Sequence, residues 1–420
     1  MRYLLEAGGV QKKRHVLFTV ILFLMAILLH QSQVILGINI SFADFFCLIV
    51  FVILIIRNQL DIPTLPLKFF IIVSMFVLAT AVIYVPIQFN SNTNPIAIVS
   101  DYIKLSASFV YFLIGYNLSK INYLEKTLKW YSLFSILVGI LGIIFTIFSI
   151  NVFSNILFFG GTRFRGLMID PNYYSVLQIT GLVYFTRSKM VEARYKYLAV
   201  IITFLAVLTT GSKTGIITLI CYLALRLIEY LFLKKKKTGE VVVHLFFIVF
   251  LILMAPLPFG IFEKAMYHLS SSIPSFFRIQ ELLTDITGSI SESGSGRGDA
   301  WNAAIQVIQL SPFLGVGIGT YTSLTGEMFH YGNLAHNTFL QLFAEWGIPL
   351  ATCFFGYVFF LLGKVSLFRF HRSETNLILR DIMIIMLVGS MAISLNSARI
   401  LWLILGALIY SVNSQRINHR

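Results

Sequence analysis

Long apolar runs alternate with short polar segments along almost the whole chain. About 20 consecutive apolar residues cross a bilayer as a helix, so runs of this length predict membrane-spanning helices. The pattern predicts twelve such segments: 16–37, 42–57, 67–88, 98–118, 129–150, 171–186, 196–210, 213–233, 241–258, 336–362, 378–395 and 397–414. A polar turn at 209–215 divides the seventh segment from the eighth, and one long helix across it is the alternative. The predicted fold class is all-α, a polytopic membrane protein.

The composition agrees with this prediction. Of 420 residues, 57% are hydrophobic and only 12% are charged. The charged share is about half the usual one, and a water-soluble fold of this size needs more charge to cover its core. The composition therefore excludes a secreted domain, a soluble dehydrogenase and a nucleic-acid-binding protein. It indicates a single integral membrane domain over residues 1–420.

The lysines and arginines lie mostly in every second segment between the predicted helices. With a cytoplasmic amino terminus, 23 of them fall on the cytoplasmic side, seven on the outer side and two within spans. An excess of Lys and Arg in cytoplasmic segments is the rule for membrane proteins. The distribution predicts cytoplasmic termini and an outer location for the largest polar segment, residues 259–335.

The segment 259–335 has helical apolar spacing in two places, at 275–286 and around Trp301 to Ile308. We expect two short amphipathic helices there, lying near the outer leaflet. The Ser- and Gly-rich stretch 288–296 between them has the composition of a flexible linker.

Outer positive charges are scarce, so each one is a candidate for binding. Arg163 and Arg165 lie in a Gly-rich loop just before Asp170 and Pro171, which can cap and start a helix. Arginine next to a helix amino terminus favours an anion, and its planar fork suits phosphate. The alternative is that these arginines reach lipid headgroups at the membrane surface.

Two further outer cations each have a binding interpretation and a simpler alternative. Lys213 lies between Gly211 and Gly215, where a phosphate could approach the backbone, or it is an interfacial lysine. Arg297 follows the Ser- and Gly-rich stretch and is either a mobile arm over a site or a loop charge. Arg399 lies in a turn that is too short to form a domain.

Polar residues also mark the helix that follows the outer loop. His336 stands at its outer end, and Asn337, Gln341 and Glu345 are spaced four residues apart and share one face. Histidine titrates near neutral pH, which suits a general base. The alternative is an interfacial histidine beside an asparagine cap. Asp101 and Lys104 are three residues apart and predict a structural ion pair.

Several common sites are excluded. The sequence has no P-loop, and Gly315 to Gly319 lacks the third glycine spacing and the βαβ context of a dinucleotide loop. The outer carboxylates are scattered, so neither a metal site nor another cofactor is expected. A bound diphosphate would have to be neutralised by Arg and Lys.

The sequence resembles the O-antigen polymerase and O-antigen ligase superfamily of bacterial membrane glycosyltransferases. The matching stretches are Arg163-Phe164-Arg165-Gly166, Asp170-Pro171-Asn172, Thr210 to Gly215, Gly296-Arg297, Trp301, Pro312, Gly315-Val316-Gly317, Ala335-His336-Asn337 and Glu345 to Pro349. The motifs cover about residues 150–360, and the topology covers the whole chain. Lys213 is a departure, because the family often has arginine there and lysine lacks the bidentate grip.

The resemblance implies transfer of a glycan from undecaprenyl diphosphate to an acceptor hydroxyl, with inversion, on the outer face of the bacterial cytoplasmic membrane. It implies that Arg165, Arg163, Arg297 and Lys213 bind the diphosphate. It implies that His336 is the catalytic base, with Asn337, Gln341 and Glu345 in support. The implied partners are the lipid-linked glycan, a glycan or lipid acceptor, membrane lipids, and a chain-length regulator or flippase.

Polymerase is favoured over ligase because polymerases are the more diverse group. A lipid-glycan transporter is the weaker alternative, since it predicts ionisable groups near mid-membrane and two related halves. A third interpretation is an inactive export or scaffold partner whose outer loop binds another protein.

Overall fold

The computed structural model describes residues 2–233 except 36, 37, 92 and 151, then 273–284, 297–367 and 373–417, with single residues between 260 and 270. Its helices are α1 Arg2–Leu28, α2 Phe42–Ile56, α3 Thr64–Ala79, α4 Val85–Phe89, α5 Pro95–Lys120, α6 Leu124–Ile147, α7 Ser154–Leu157, α8 Pro171–Arg187, α9 Ala193–Thr209, α10 Lys213–Ile228, α11 Pro274–Thr284, α12 Arg297–Leu310, α13 Tyr321–Phe329, α14 Thr338–Leu367, α15 Glu374–Ser390 and α16 Arg399–Ile417. The all-α prediction is therefore confirmed in its main features.

Two short antiparallel hairpins accompany the helices. In the first, β1 Gln33–Ile35 pairs with β2 Ile38–Ile40; in the second, β3 Phe158–Phe159 pairs with β4 Arg163–Phe164. The first hairpin occupies the end of the predicted segment 16–37, because α1 already ends at Leu28 before a buried polar stretch, His30 to Ser32. The remaining described spans each coincide with a helix, and the predicted segment 241–258 lies outside the described residues.

Five helical segments among the described residues are long and apolar enough to cross a membrane: Thr64–Phe89, Pro95–Lys120, Leu124–Ile147, Lys213–Leu231 and Thr338–Ser366. Shorter apolar helices cover His15–Leu28, Phe42–Ile56 and Arg399–Ser414. The two amphipathic helices predicted in the loop 259–335 are present as α11 and α12. The linker predicted at 288–296 lies outside the described residues, and α13 was not predicted.

Two long helices are broken at the level where the large loop returns to the helices. A π-helical turn at Thr80–Tyr84 joins α3 to α4, and α14 has a non-helical Gly347 (φ 74°) two residues before Pro349. The Gly315–Gly319 loop fills this region: Val316 and Gly317 donate backbone hydrogen bonds to Ala344 and Glu345 at 2.8 and 2.9 Å. The loop thus satisfies carbonyl groups that the kink in α14 leaves free.

Close helix packing holds α5 against α16. A Cβ at Gly115 would lie 1.8 Å from the Leu403 carbonyl oxygen, and one at Gly406 would lie 1.9 Å from that of Phe112. Glycines let two helix backbones approach this closely, which is typical of helix pairs in membranes.

Charges assigned to the cytoplasmic side meet at one end of the helices. Arg187 and Arg380 both bind Asp381, with N–O distances of 2.6 Å, and both also bind Glu229. All four side chains are largely buried, and their network ties together the ends of α8, α10 and α15.

The predicted pair of Asp101 and Lys104 is confirmed at 2.8 Å. Arg399, at the other end of the helices, binds both oxygens of Asp44. Asp44 also accepts a hydrogen bond from Tyr111, at 2.9 Å. Arg399 therefore has a structural role between α2, α5 and α16.

Candidate functional site

The site is built around the amino termini of α8, α10 and α14, and each of these helix starts is capped by a side chain. Asp170 accepts hydrogen bonds from the backbone of Asn172 and Tyr173, Ser212 from Gly215, and Asn337 from Phe339 and Leu340. Helix amino termini carry partial positive charge. The caps thus fix three of the helix starts around which the predicted cations lie.

Arg163 lies in strand β4, and its side chain extends to the turn between α9 and α10. Its Nε donates to the Thr210 carbonyl at 2.8 Å and its Nη2 to Asn172 Oδ1 at 3.0 Å. Burial lowers the pKa of Arg163 to about 10; Arg278 acts in the same direction and Asp170 opposes it. Both of its hydrogen-bond acceptors are neutral, so its charge is not cancelled by a hydrogen-bonded carboxylate.

Arg297 and Lys213 reach the same region from α12 and α10. Arg297 Nη2 donates to Thr214 Oγ1 at 3.0 Å, and burial lowers the pKa of Arg297, while Asp170 raises it. Lys213 is only 6% exposed and its Nζ lies 2.8 Å from Glu281 Oε2. The structure therefore brings together three of the predicted cations, Arg163, Lys213 and Arg297.

Arg278 is a fourth cation at this place, and it was not predicted as a site residue. It is carried by α11, and its charge lowers the pKa of both Arg163 and Arg297. Its Nε is buried and has no hydrogen-bond partner among the residues that the structure describes. Arg278 is one of the seven outer cations, but the sequence placed it on a short amphipathic helix, where a charge has an ordinary explanation.

The start of α11 lies directly on the turn between α9 and α10. Gly211 has φ +58°, and a Cβ there would lie 2.7 Å from the Ser275 carbonyl oxygen. Phe276 and Ile279 pack against Leu208 in a small cluster of their own. Glycine at this position allows the close contact, and the contact directs Arg278 toward Arg163.

We call Arg163, Lys213, Arg278 and Arg297 the cationic site. The carboxylates described beside it are Asp170 and Glu281, so four positive charges face two negative ones. Like charges gathered in a partly buried place are unfavourable unless an anion joins them. The arrangement is chemically suited to a multiply charged anion such as a diphosphate.

His336 lies beside the cationic site in a turn with φ +49°. Its side chain is exposed, and the preceding Ala335 is fully buried. The Ala335 N–H donates to Gln341 Oε1 at 2.9 Å, and Gln341 Nε2 donates to the buried carboxylate of Glu345. Gln341 and Glu345 therefore hold the turn that presents His336, and they do so through hydrogen bonds to one another and to the backbone.

The charges of the site also act on His336. Desolvation by the surrounding protein lowers the pKa of His336 below its usual value, Asp170 opposes this, and Arg297 adds to it. A lowered pKa keeps the imidazole neutral at physiological pH, and only the neutral ring can accept a proton.

Arg165 lies apart from these residues. Its Nε, Nη1 and Nη2 donate to the backbone carbonyls of Ile156, Ile169 and Asn155, at 3.1, 3.0 and 2.7 Å. These bonds hold the loop between α6 and α8, and they use three of the five N–H groups of the guanidinium. The structure thus separates the two arginines that the sequence analysis assigned to the same diphosphate.

Residues 198–355 match the family model for O-antigen ligase. This match supports the resemblance of the chain to the O-antigen polymerase and ligase superfamily. The matched part includes Lys213, Arg278, Arg297 and His336, while Arg163 precedes it. No curated protein matches the chain.

The superfamily match covers the turn between α9 and α10, the large loop and the first half of α14. In the described parts of the chain, no group of three His, Cys, Asp or Glu side chains could hold a metal ion. The independence from metal expected from the sequence stays a prediction for the enzyme to be tested in solution.

Proposed function

We propose that the protein polymerises lipid-linked oligosaccharide repeat units on the outer face of the bacterial cytoplasmic membrane. The donor is a glycan on undecaprenyl diphosphate, and the acceptor is a sugar hydroxyl of a second glycan. The observation that carries this proposal is the cationic site, in which three guanidinium groups gather beside an exposed histidine, with no hydrogen-bonded carboxylate among the residues that the structure describes.

The cationic site suits the diphosphate of the donor. Arg163, Arg278 and Arg297 supply planar donors, and the capped starts of α8 and α10 add the partial charge of their backbone N–H groups. In this proposal Lys213 exchanges its contact with Glu281 for a phosphate oxygen. Arg165, by contrast, supports the loop that carries Arg163.

His336 is proposed as the base. It removes the proton of the acceptor hydroxyl while the oxygen attacks the anomeric carbon of the donor sugar. The bond from that carbon to the diphosphate oxygen breaks, and its electron pair leaves with the diphosphate. Direct attack inverts the anomeric configuration, and the arginines stabilise the charge that develops on the leaving group.

The outer location is supported by the charge distribution. The residues of the cationic site come from segments assigned to the outer side by the Lys and Arg count. The network of Arg187, Glu229, Arg380 and Asp381 comes from the opposite ends of α8 and α10. The two groups of charges are therefore separated along the same helices, as a membrane crossing requires.

The family match favours a second candidate, because its description is O-antigen ligase. A ligase would use the same donor site and transfer the glycan to a lipid A-core acceptor. The test incubates purified protein with undecaprenyl-diphosphate repeat units, with and without lipid A-core. A ladder of lengthened chains without lipid A-core supports the polymerase, and product on lipid A-core alone supports the ligase.

The same incubation with the protein in lipid vesicles, combined with a measurement of transport, addresses the transporter alternative. A protein that moves the lipid-linked glycan between leaflets without forming either product would overturn both proposals. Glu345 is the buried carboxylate that a transporter could use. Its hydrogen bond from Gln341, which holds the His336 turn, favours a supporting role.

A further inference from the structure

A cavity lies beside Arg165, in the same loop that carries Arg163. Its volume is about 340 Å³, and its lining consists of Ser32, Asn155, Ile156, Arg165, Leu167, Met168 and Ile169. None of the residues of the cationic site lines it. Ligand pockets typically have volumes from about 300 Å³ upward, so this cavity is large enough for a small ligand.

The wall of this cavity combines planar polar groups with aliphatic ones. Arg165 is held by its three bonds to backbone carbonyls, and two of its five N–H groups remain beyond those bonds. Asn155 and Ser32 contribute an amide and a hydroxyl, and Ile156, Leu167 and Ile169 contribute apolar surface. Within the described part of the chain, no carboxylate lines the cavity to neutralise Arg165.

This lining matches the surface of a sugar ring. A monosaccharide presents hydroxyl groups around its edge and C–H groups on its faces, so it needs neutral and cationic donors together with aliphatic contacts. A lipid tail would leave the two remaining N–H groups of the guanidinium, and the amide, without hydrogen bonds, which is costly when these groups are desolvated. The chemistry of the lining therefore selects a polar ligand of modest size.

The cavity is also adjacent to the cationic site along the chain. Ile169 lines the cavity, and the next residue, Asp170, raises the pKa values of Arg163, Arg297 and His336 through its charge. Adjacent Cα atoms are about 3.8 Å apart, so the two places share one short stretch of chain as a wall. A glycan that reacts beside His336 could extend across this wall.

We propose that this cavity is a glycan subsite, which binds a monosaccharide unit of one of the two substrates. The inference rests on the proposed function, because only a glycan-transferring enzyme needs such a unit held near its diphosphate site. The unit belongs either to the donor glycan or to the acceptor glycan. Both present the same chemistry to the lining residues, and the experiment separates them.

The kinetic test uses two variants of the lining. Asn155→Ala removes the amide and keeps the backbone carbonyl to which Arg165 donates, and Ile169→Trp fills the cavity. Thr162→Ala is the matched control, because Thr162 is exposed in the same loop and does not line the cavity. The initial rate of chain extension is measured while the donor and the acceptor are varied in turn.

We expect Asn155→Ala to raise one KM by roughly threefold to tenfold, the loss that one neutral hydrogen bond produces. Ile169→Trp should raise the same KM further, and Thr162→Ala should leave both values unchanged. A rise confined to the acceptor assigns the cavity to the acceptor glycan, and a rise confined to the donor assigns it to the donor glycan. Unchanged KM values in folded Ile169→Trp protein would overturn the subsite.

A binding measurement separates this inference from the proposed function. The probe is the free oligosaccharide repeat unit released from the source's own surface polysaccharide, which carries neither lipid nor diphosphate. Its binding to purified protein should weaken in Ile169→Trp and persist in Arg297→Ala, whether or not the protein extends chains. Equal binding by wild type and Ile169→Trp, with unchanged thermal melting, would refute the subsite even if polymerisation is confirmed.

Discussion

Arg278→Ala should weaken donor binding without destabilising the protein, and the two effects have opposite physical origins. In the structure the buried Nε of Arg278 has no partner among the described residues, and Arg163 and Arg297 are nearby like charges. An unsatisfied buried donor costs about 1–3 kcal/mol, so its removal offsets the packing that the side chain loses. Unfolding in detergent should therefore occur at the same temperature or a higher one.

The affinity for the donor should fall in Arg278→Ala. A hydrogen bond between a guanidinium and a phosphate oxygen contributes about 1.5–3 kcal/mol. At about 1.4 kcal/mol for each factor of ten, the affinity for the diphosphate should fall by roughly 10- to 150-fold. Arg278→Lys should recover only part of this loss, because an ammonium group keeps the charge but not the planar fork.

The assay measures binding of undecaprenyl diphosphate to purified protein, together with thermal unfolding of the same samples. Arg194→Ala is the control, since Arg194 is 70% exposed and pairs with Glu192 at the opposite end of the helices. If Arg278→Ala lowers the unfolding temperature and leaves diphosphate affinity unchanged, Arg278 is a structural residue and the cationic site has been assigned incorrectly.

Four other predictions follow from the same structure and sequence. His336→Ala should reduce turnover by roughly 10² to 10⁴ and leave undecaprenyl diphosphate binding nearly intact, and near-normal turnover would remove His336 as the base. Wild-type activity should decline only as the pH falls through a value below the usual histidine pKa, because the pKa of His336 is lowered; a decline centred above that usual value would contradict this. Activity should survive EDTA, and a loss restored by Mg²⁺ would mean that a metal neutralises the diphosphate. Asp381→Asn should cost about 3–5 kcal/mol of stability, as expected when a buried ion network loses one partner, whereas an unchanged unfolding temperature would show that the network is not stabilising.

Most of the helices could be predicted because membrane helices leave a strong signal in one sequence. Apolar runs on either side of the basic residues Lys120, Lys126 and Lys129 identified α5 and α6 closely. The breaks at Thr80–Tyr84 and Gly347 could not be predicted in the same way. They depend on the Gly315–Gly319 loop, which donates hydrogen bonds to backbone groups far away in the sequence. Such contacts carry no local pattern.

The candidate site was partly predictable for a similar reason. Arg163, Lys213 and Arg297 stood out because positive charge is rare on the predicted outer side, and His336 because it stands at the outer end of a helix. The structure brings these residues together. Arg278 did not stand out, because an amphipathic helix is expected to carry charges on one face. Its role depends on the contact of α11 with the turn between α9 and α10, which only the structure reveals.

The choice between Arg163 and Arg165 is the clearest case of information that the sequence lacks. Both arginines precede Gly166, both are two residues from each other, and both suit a phosphate. The hairpin register pairs Arg163 with Phe159, and Gly166 then turns the chain with φ +57°. After this turn the carbonyl of Ile169 lies within reach of Arg165, while Arg163 extends to Thr210.

The positions of Arg297 and His336 depend on one another through the backbone between them. Arg297 begins α12, and the chain then runs through the Gly315–Gly319 loop and α13 before it reaches His336 at the start of α14. The loop is fixed to α14 by hydrogen bonds to Ala344 and Glu345. Glu345 in turn holds Gln341, which accepts the N–H of the residue before His336. The kink in α14 therefore provides the carbonyl groups that anchor the loop, and the same helix turn supports the proposed base. The proposed proton acceptor and the proposed diphosphate ligand are thus fixed to a common support, which is the physical requirement for holding both in reaction geometry.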